Sequence, residues 1–68
     1  MKWFSAIESW PTMEGIPVLL IVMNKSGNSI ITKGITSSKG IDGLFKIKDK
    51  NLKHRNDLSV THWTWADD

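Results

Sequence analysis

Sixty-eight residues without a cysteine predict one small domain that folds with neither disulfides nor thiolate metal sites to hold it. Hydrophobic residues make up 40% and charged residues 24%, which fits a globular chain rather than a disordered one. A formal net charge of +2 is too small to imply nucleic-acid binding by itself.

The opening Met1-Lys2-Trp3-Phe4 lacks the apolar stretch and cleavage site of a signal peptide. Lys2 to Ala6 is read as a short strand. Ser5-Ala6-Ile7-Glu8 has the spacing of a helix capping box, but Pro11 and Gly15 leave room for only one turn. The apolar run Ile16 to Met23 is too short to cross a membrane, which takes about 20 residues in a helix. Within it, Val18 to Met23 is continuously apolar and rich in β-branched residues, the signature of a central strand covered on both faces. A cytoplasmic protein is the expectation, and the glycosylation pattern Asn24-Lys25-Ser26 then carries no meaning.

Asn24 to Asn28 reads as a hairpin turn, and Ser29 to Thr36 as the returning strand, with Gly34 marking a bulge. Ser37 to Gly43 is expected as a loop ending in the tight-turn pair Asp42-Gly43. Leu44 to Lys48 then alternates, with Phe45 and Ile47 inward and the lysines outward. After a polar connection from Asp49 to Asp57, a last strand runs from Leu58 to about Trp65. At a period of two, Thr61, Trp63 and Trp65 share one face and Leu58, Val60 and His62 the other. Trp63 is expected in the core and Trp65 nearer the surface, with less chain after it to cover its indole. The fold class predicted is all-β with at most one helical turn, an antiparallel sheet of four or five strands open to partial closure into a barrel.

No reaction is declared by the side chains. His54 and His62 offer no metal-ligand spacing, so a partly buried strand residue is the better reading of His62. Ser26, Ser29, Ser37 and Ser38 lie in or beside turns, none in a nucleophile elbow. Gly34 to Gly40 has the ingredients of a phosphate loop in the wrong order, and the paired carboxylates Asp67-Asp68 are terminal and solvated. The expectation is a protein that is not an enzyme and carries no metal or cofactor.

Two features point to binding instead. Lys46, Lys48 and Lys50 recur at strand spacing, and Lys53, His54 and Arg55 extend the charge, so phosphate contacts could form there. The acids Asp42, Asp49 and Asp57 interleave, which favours a solvated outer face that protects an edge strand. Trp65, beside this segment, is the candidate anchor, because tryptophan and arginine are enriched among residues that dominate interfaces.

Trp3, Pro11, Gly15, Val18-Leu19 and Thr61-His62-Trp63 together make the chain resemble a short domain family of unknown function found mostly in bacteriophages and prophages. Its members open with a Trp, pass a Pro and a Gly into a Val-Leu strand, and close on Thr-His-Trp. The family usually continues into a Pro-rich ending, where this chain has Trp65-Ala66-Asp67-Asp68. The resemblance implies a small β domain in a phage setting and no particular activity.

The leading expectation is therefore a non-enzymatic accessory protein that binds a host bacterial protein, in defence or transcription, and inhibits or redirects it. Its partner-binding residues would be Trp65, Lys46, Lys48, Lys50, Lys53 and Arg55. The alternatives are a nucleic-acid-binding module built on residues 46–55 and a structural subunit that self-associates through a sheet edge.

Overall fold

The computed structural model describes residues 2–66. The terminal carboxylates Asp67-Asp68 lie outside them. One antiparallel sheet carries the fold: β1 (Phe4–Ser5), β2 (Pro17–Met23), β3 (Ser29–Ile41), β4 (Phe45–Ile47) and β5 (Ser59–Trp65), in the order β1-β5-β2-β3-β4. There is no helix among the described residues. The expected capping box gives a single turn, in which the Ser9 N–H donates to the Ser5 carbonyl at 2.9 Å.

The two hairpins follow from local sequence. Asn24 closes the first, its Oδ1 accepting from the Ser26 and Asn28 amides at 2.9 and 3.0 Å. Gly27 supplies the left-handed conformation that such a loop requires, with φ of 89°. In the second hairpin Asp42 and Gly43 both have positive φ, 56° and 72°. The Leu44 amide donates to the Ile41 carbonyl at 2.9 Å across them, closing a tight turn, and Leu44 separates that turn from the Ile41–Phe45 pair. β3 nevertheless runs to Ile41, past its expected end at Thr36. Phe45 is registered with both Thr36 and Ile41, so Ser37–Gly40 bulge from the ladder instead of forming a separate loop.

Gly34 is not at a bulge. It pairs in register with Val18 on one side and Ile47 on the other. Glycine is required there by close packing: a Cβ would sit 2.6 Å from Leu20 Cδ1 and 2.9 Å from the Lys46 carbonyl oxygen.

The bulge that matters lies in β5. Ile21 pairs with His62 and Val22 with Val60, leaving Thr61 as the extra residue. Its hydroxyl donates to the Ile21 carbonyl at 3.3 Å. An inserted residue reverses the alternation beyond it. Val60 therefore joins Trp63 and Trp65 on the inner face, against the simple period-2 expectation, while His62 stays exposed on the outer one.

The core gathers Val18, Leu20 and Val22 from β2, Phe45 and Ile47 from β4, Val60 and Trp63 from β5, and Leu52 from the connection before β5. The sheet curls around it. Phe45 and Trp63 stand three strand positions apart, about 14 Å in a flat sheet, yet their rings are 5.9 Å apart. β2 is central, as the apolar run requires, but only its inner face is fully covered. Leu19, Ile21 and Met23 on the outer face are half-buried, opposite Lys33, Ile31 and Ser29.

Candidate partner-binding surfaces

Trp65 is half-buried and packs edge-on against buried Trp63, with ring centroids 4.9 Å apart at 87°. This is the burial order expected for the pair. Its surroundings are apolar: Trp65 shares a shallow cavity of about 260 Å³ with Met13, Ile16, Pro17 and Ala66.

Met13 belongs to the connection between β1 and β2, which holds the surface residues that sequence reasoning missed. Ile7, Trp10 and Met13 are exposed by 85%, 54% and 58%. The segment bearing them is pinned at both ends. The Trp63 indole N–H donates to the Ser9 carbonyl at 2.8 Å. Further on, the Gly15 amide donates to the Thr36 carbonyl at 2.8 Å, and the Ile16 amide to Thr36 Oγ1 at 2.9 Å. Glu14 Oε1 accepts from the Ser38 amide and hydroxyl, both at 3.0 Å. These bonds, the backbone one foremost, hold the Glu14 carboxyl below the usual carboxylate range. The apolar side chains are thus presented by an anchored connection. The available signal was a tryptophan and a methionine in a Pro-containing segment with no strand period to bury them.

The basic residues divide. Lys46 points outward from β4 and Lys48 follows it, but the strand ends at Ile47, so Lys50 lies in a turn rather than continuing the expected stripe. Asp49 organises that turn: its carboxylate accepts from the Asn51 amide at 2.8 Å and its carbonyl from the Lys53 amide at 2.9 Å. Leu52, 7% exposed, anchors the connection to the core and leaves its charged neighbours in solvent.

Lys46, Lys53, His54 and Arg55 then line a groove of about 490 Å³ beside β4, joined by Lys39 from the bulged part of β3. Lys39 was not among the expected site residues. Among the described residues no carboxylate lines this groove. Arg55 is already engaged, donating from Nε to Asp57 at 2.9 Å and from its terminal nitrogen to the second oxygen. That hydrogen bonding lowers the Asp57 pKa and raises that of Arg55. Lys48 instead lines a separate hollow with Ile31, Thr32, Lys33 and Asp49. Trp65 and the cationic groove share no lining residue, so the expected single surface resolves into two.

His62 is exposed, with its Nδ1 3.2 Å from Thr61 Oγ1. No group of three or more potential metal ligands comes together among the described residues, and no helix there is long and apolar enough to cross a membrane. No protein-family model matches the chain, no curated protein matches its sequence, and no solved structure matches its fold.

Proposed function

We propose that this domain is a non-enzymatic accessory protein that acts by binding another protein, through the apolar surface formed by Trp65, Met13 and the connection carrying Trp10. The observation that carries this reading is the exposure of Trp10 and Met13 on a segment fixed by hydrogen bonds at Ser9 and at Gly15–Ile16. An anchored backbone limits the ordering cost of binding, and aromatic anchors of this type dominate interface energetics. The likeness of Trp3, Pro11, Gly15, Val18-Leu19 and Thr61-His62-Trp63 to a phage and prophage domain family supports a host bacterial protein as the partner. Binding in the host cytoplasm would then inhibit or redirect a defence or transcription component.

The test is capture from bacterial lysate with and without nuclease, followed by affinity measurement on the captured protein. Trp65→Ala and Trp10→Ala are each expected to stay folded and to weaken binding by about 2 kcal/mol, the loss typical of an interface anchor. Unchanged affinity in both variants would remove this surface from the reading.

A second reading has its own support, the convergence of Lys39, Lys46, Lys53 and His54 on a groove with no carboxylate in its lining among the described residues. A nucleic-acid backbone fits that chemistry, although Phe45 in the groove is only 1% exposed and offers no stacking platform. Sub-micromolar affinity at physiological salt would favour it. In that case Lys39→Ala and Lys46→Ala should each flatten the salt dependence by about one unit.

A further inference from the structure

β3 is longer than the strand beside it, and the difference leaves part of its edge open. The ladder with β4 covers Gly34, Ile35 and Thr36, and the Lys48 amide extends it to the Lys33 carbonyl at 3.0 Å. Beyond Lys33, no strand pairs with Ser29–Thr32 on that side among the described residues. Antiparallel geometry states which groups are left free. The Asn24 amide donates to the Asn28 carbonyl at 3.0 Å, so even-numbered residues of β3 turn their backbone groups toward β2 and odd-numbered ones toward the β4 side. The N–H and C=O groups of Ser29 and Ile31 therefore face outward.

Apolar side chains flank these groups. Ile30 is 48% exposed on the inner face and Ile31 is 64% exposed on the outer one. Natural sheets protect such edges with lysine, proline, a bulge or a covering loop. Ser29-Ile30-Ile31-Thr32 contains no charge and no proline. An edge of free amides and carbonyls is completed by an extended backbone and by little else.

We propose that this edge pairs with the same edge of a second copy of the chain, antiparallel and two-fold symmetric about Ile30. The position of β4 sets the register. A two-fold axis on Ile31 would bring the partner's Ser29 against Lys33, whose carbonyl is already bonded to Lys48. An axis on Ile30 sets Ser29 against the partner's Ile31 and uses the outward groups of both residues in both chains. It lays the two Ile30 side chains directly opposite each other, the closest kind of cross-strand pair. It also separates the two Lys33 residues by six residue steps, about 20 Å, well beyond the screening length of roughly 8–10 Å. The contact is short, far below the roughly 1,200–2,000 Å² of stable complexes, so the dimer is weak and concentration-dependent. It shares no residue with the Trp65 surface and stands or falls independently of the partner reading.

Sedimentation equilibrium from micromolar to millimolar protein tests the pairing, together with amide hydrogen exchange at the two ends of that range. The native chain should pass from monomer to dimer, and protection of the Ser29 and Ile31 amides should rise with it. Ile31→Lys should weaken association at least about tenfold by placing charges on the strand contact. Ile7→Lys, which removes a still more exposed isoleucine elsewhere, should leave association unchanged. A chain that stays monomeric throughout overturns the proposal. So does a dimer that Ile31→Lys leaves intact, one that Ile7→Lys abolishes, or exchange at Ser29 and Ile31 that is indifferent to concentration. Were Ile31→Lys to lose its fold, the exchange experiment on the native chain would decide alone.

Discussion

Replacing Trp63 by phenylalanine is the sharpest test of how this domain is held together. The indole is 3% exposed, with ring centroids 4.8 Å from Phe4, 5.9 Å from Phe45 and 4.9 Å from Trp65. Its N–H bonds the Ser9 carbonyl at 2.8 Å and so ties the β1–β2 connection to the core. Phenylalanine keeps one ring but removes that bond, worth about 1 kcal/mol net. The volume lost from a tight core adds roughly 1–2 kcal/mol. A total of about 2–3 kcal/mol should lower the melting temperature by roughly 10–20 °C in a domain this small. Trp63→Ala, at about 3–5 kcal/mol, approaches the whole stability of about 3–10 kcal/mol available to 68 residues, and should be largely unfolded. Thermal and urea melts followed by near-ultraviolet circular dichroism read both variants. A Trp63→Phe protein melting within about 2 °C of the native chain would refute the claim that this indole joins the connection to the sheet.

Three further outcomes are expected. Thr32 Oγ1 is buried without a hydrogen-bond partner, so Thr32→Val, which deletes the orphan hydroxyl at nearly constant shape, should raise stability by about 1 kcal/mol; a lower melting temperature would show that the hydroxyl is satisfied. Gly34→Ala should destabilise by roughly 1–3 kcal/mol because the new Cβ meets Leu20 and the Lys46 backbone, and a native melting curve would contradict that close approach. The depressed pKa of Glu14 stabilises the fold above the ordinary carboxyl range, and this contribution is lost as pH falls through the lowered folded value. Glu14→Gln should therefore be less stable than the native chain at neutral pH and converge with it in acid; a gap independent of pH would assign the effect to something other than the charge.

Local signals carried much of the fold. The apolar run at Val18–Met23, the turn residues at Gly27 and Asp42-Gly43, and the alternation around Phe45 and Ile47 each specify an element through interactions within a few residues, and each element is present. Non-local features were not legible in the same way. The insertion of Thr61 into β5 is visible only against its partner β2, and it decides that Val60 rather than Thr61 packs with Trp63. The basic segment looked like one stripe because lysines recur at intervals of two, yet β4 stops at Ile47 and the chain turns at Asp49. Curling of the sheet and the bulge after Thr36 then bring in Lys39 and separate the groove from Trp65.

The sequence by itself determined that this chain makes antiparallel strands joined by short turns, and that Trp63 belongs inside. Backbone conformation and burial pattern are written in neighbouring residues. Which side chains share a surface was decided only by the tertiary structure. Strand order, a single inserted residue and the curvature of the sheet place Met13 and Trp65 at one site, Lys39, Lys46, Lys53 and Arg55 at another, and leave the edge of β3 open. These depend on pairings between residues far apart in the chain, where a one-residue shift moves a side chain to the opposite face.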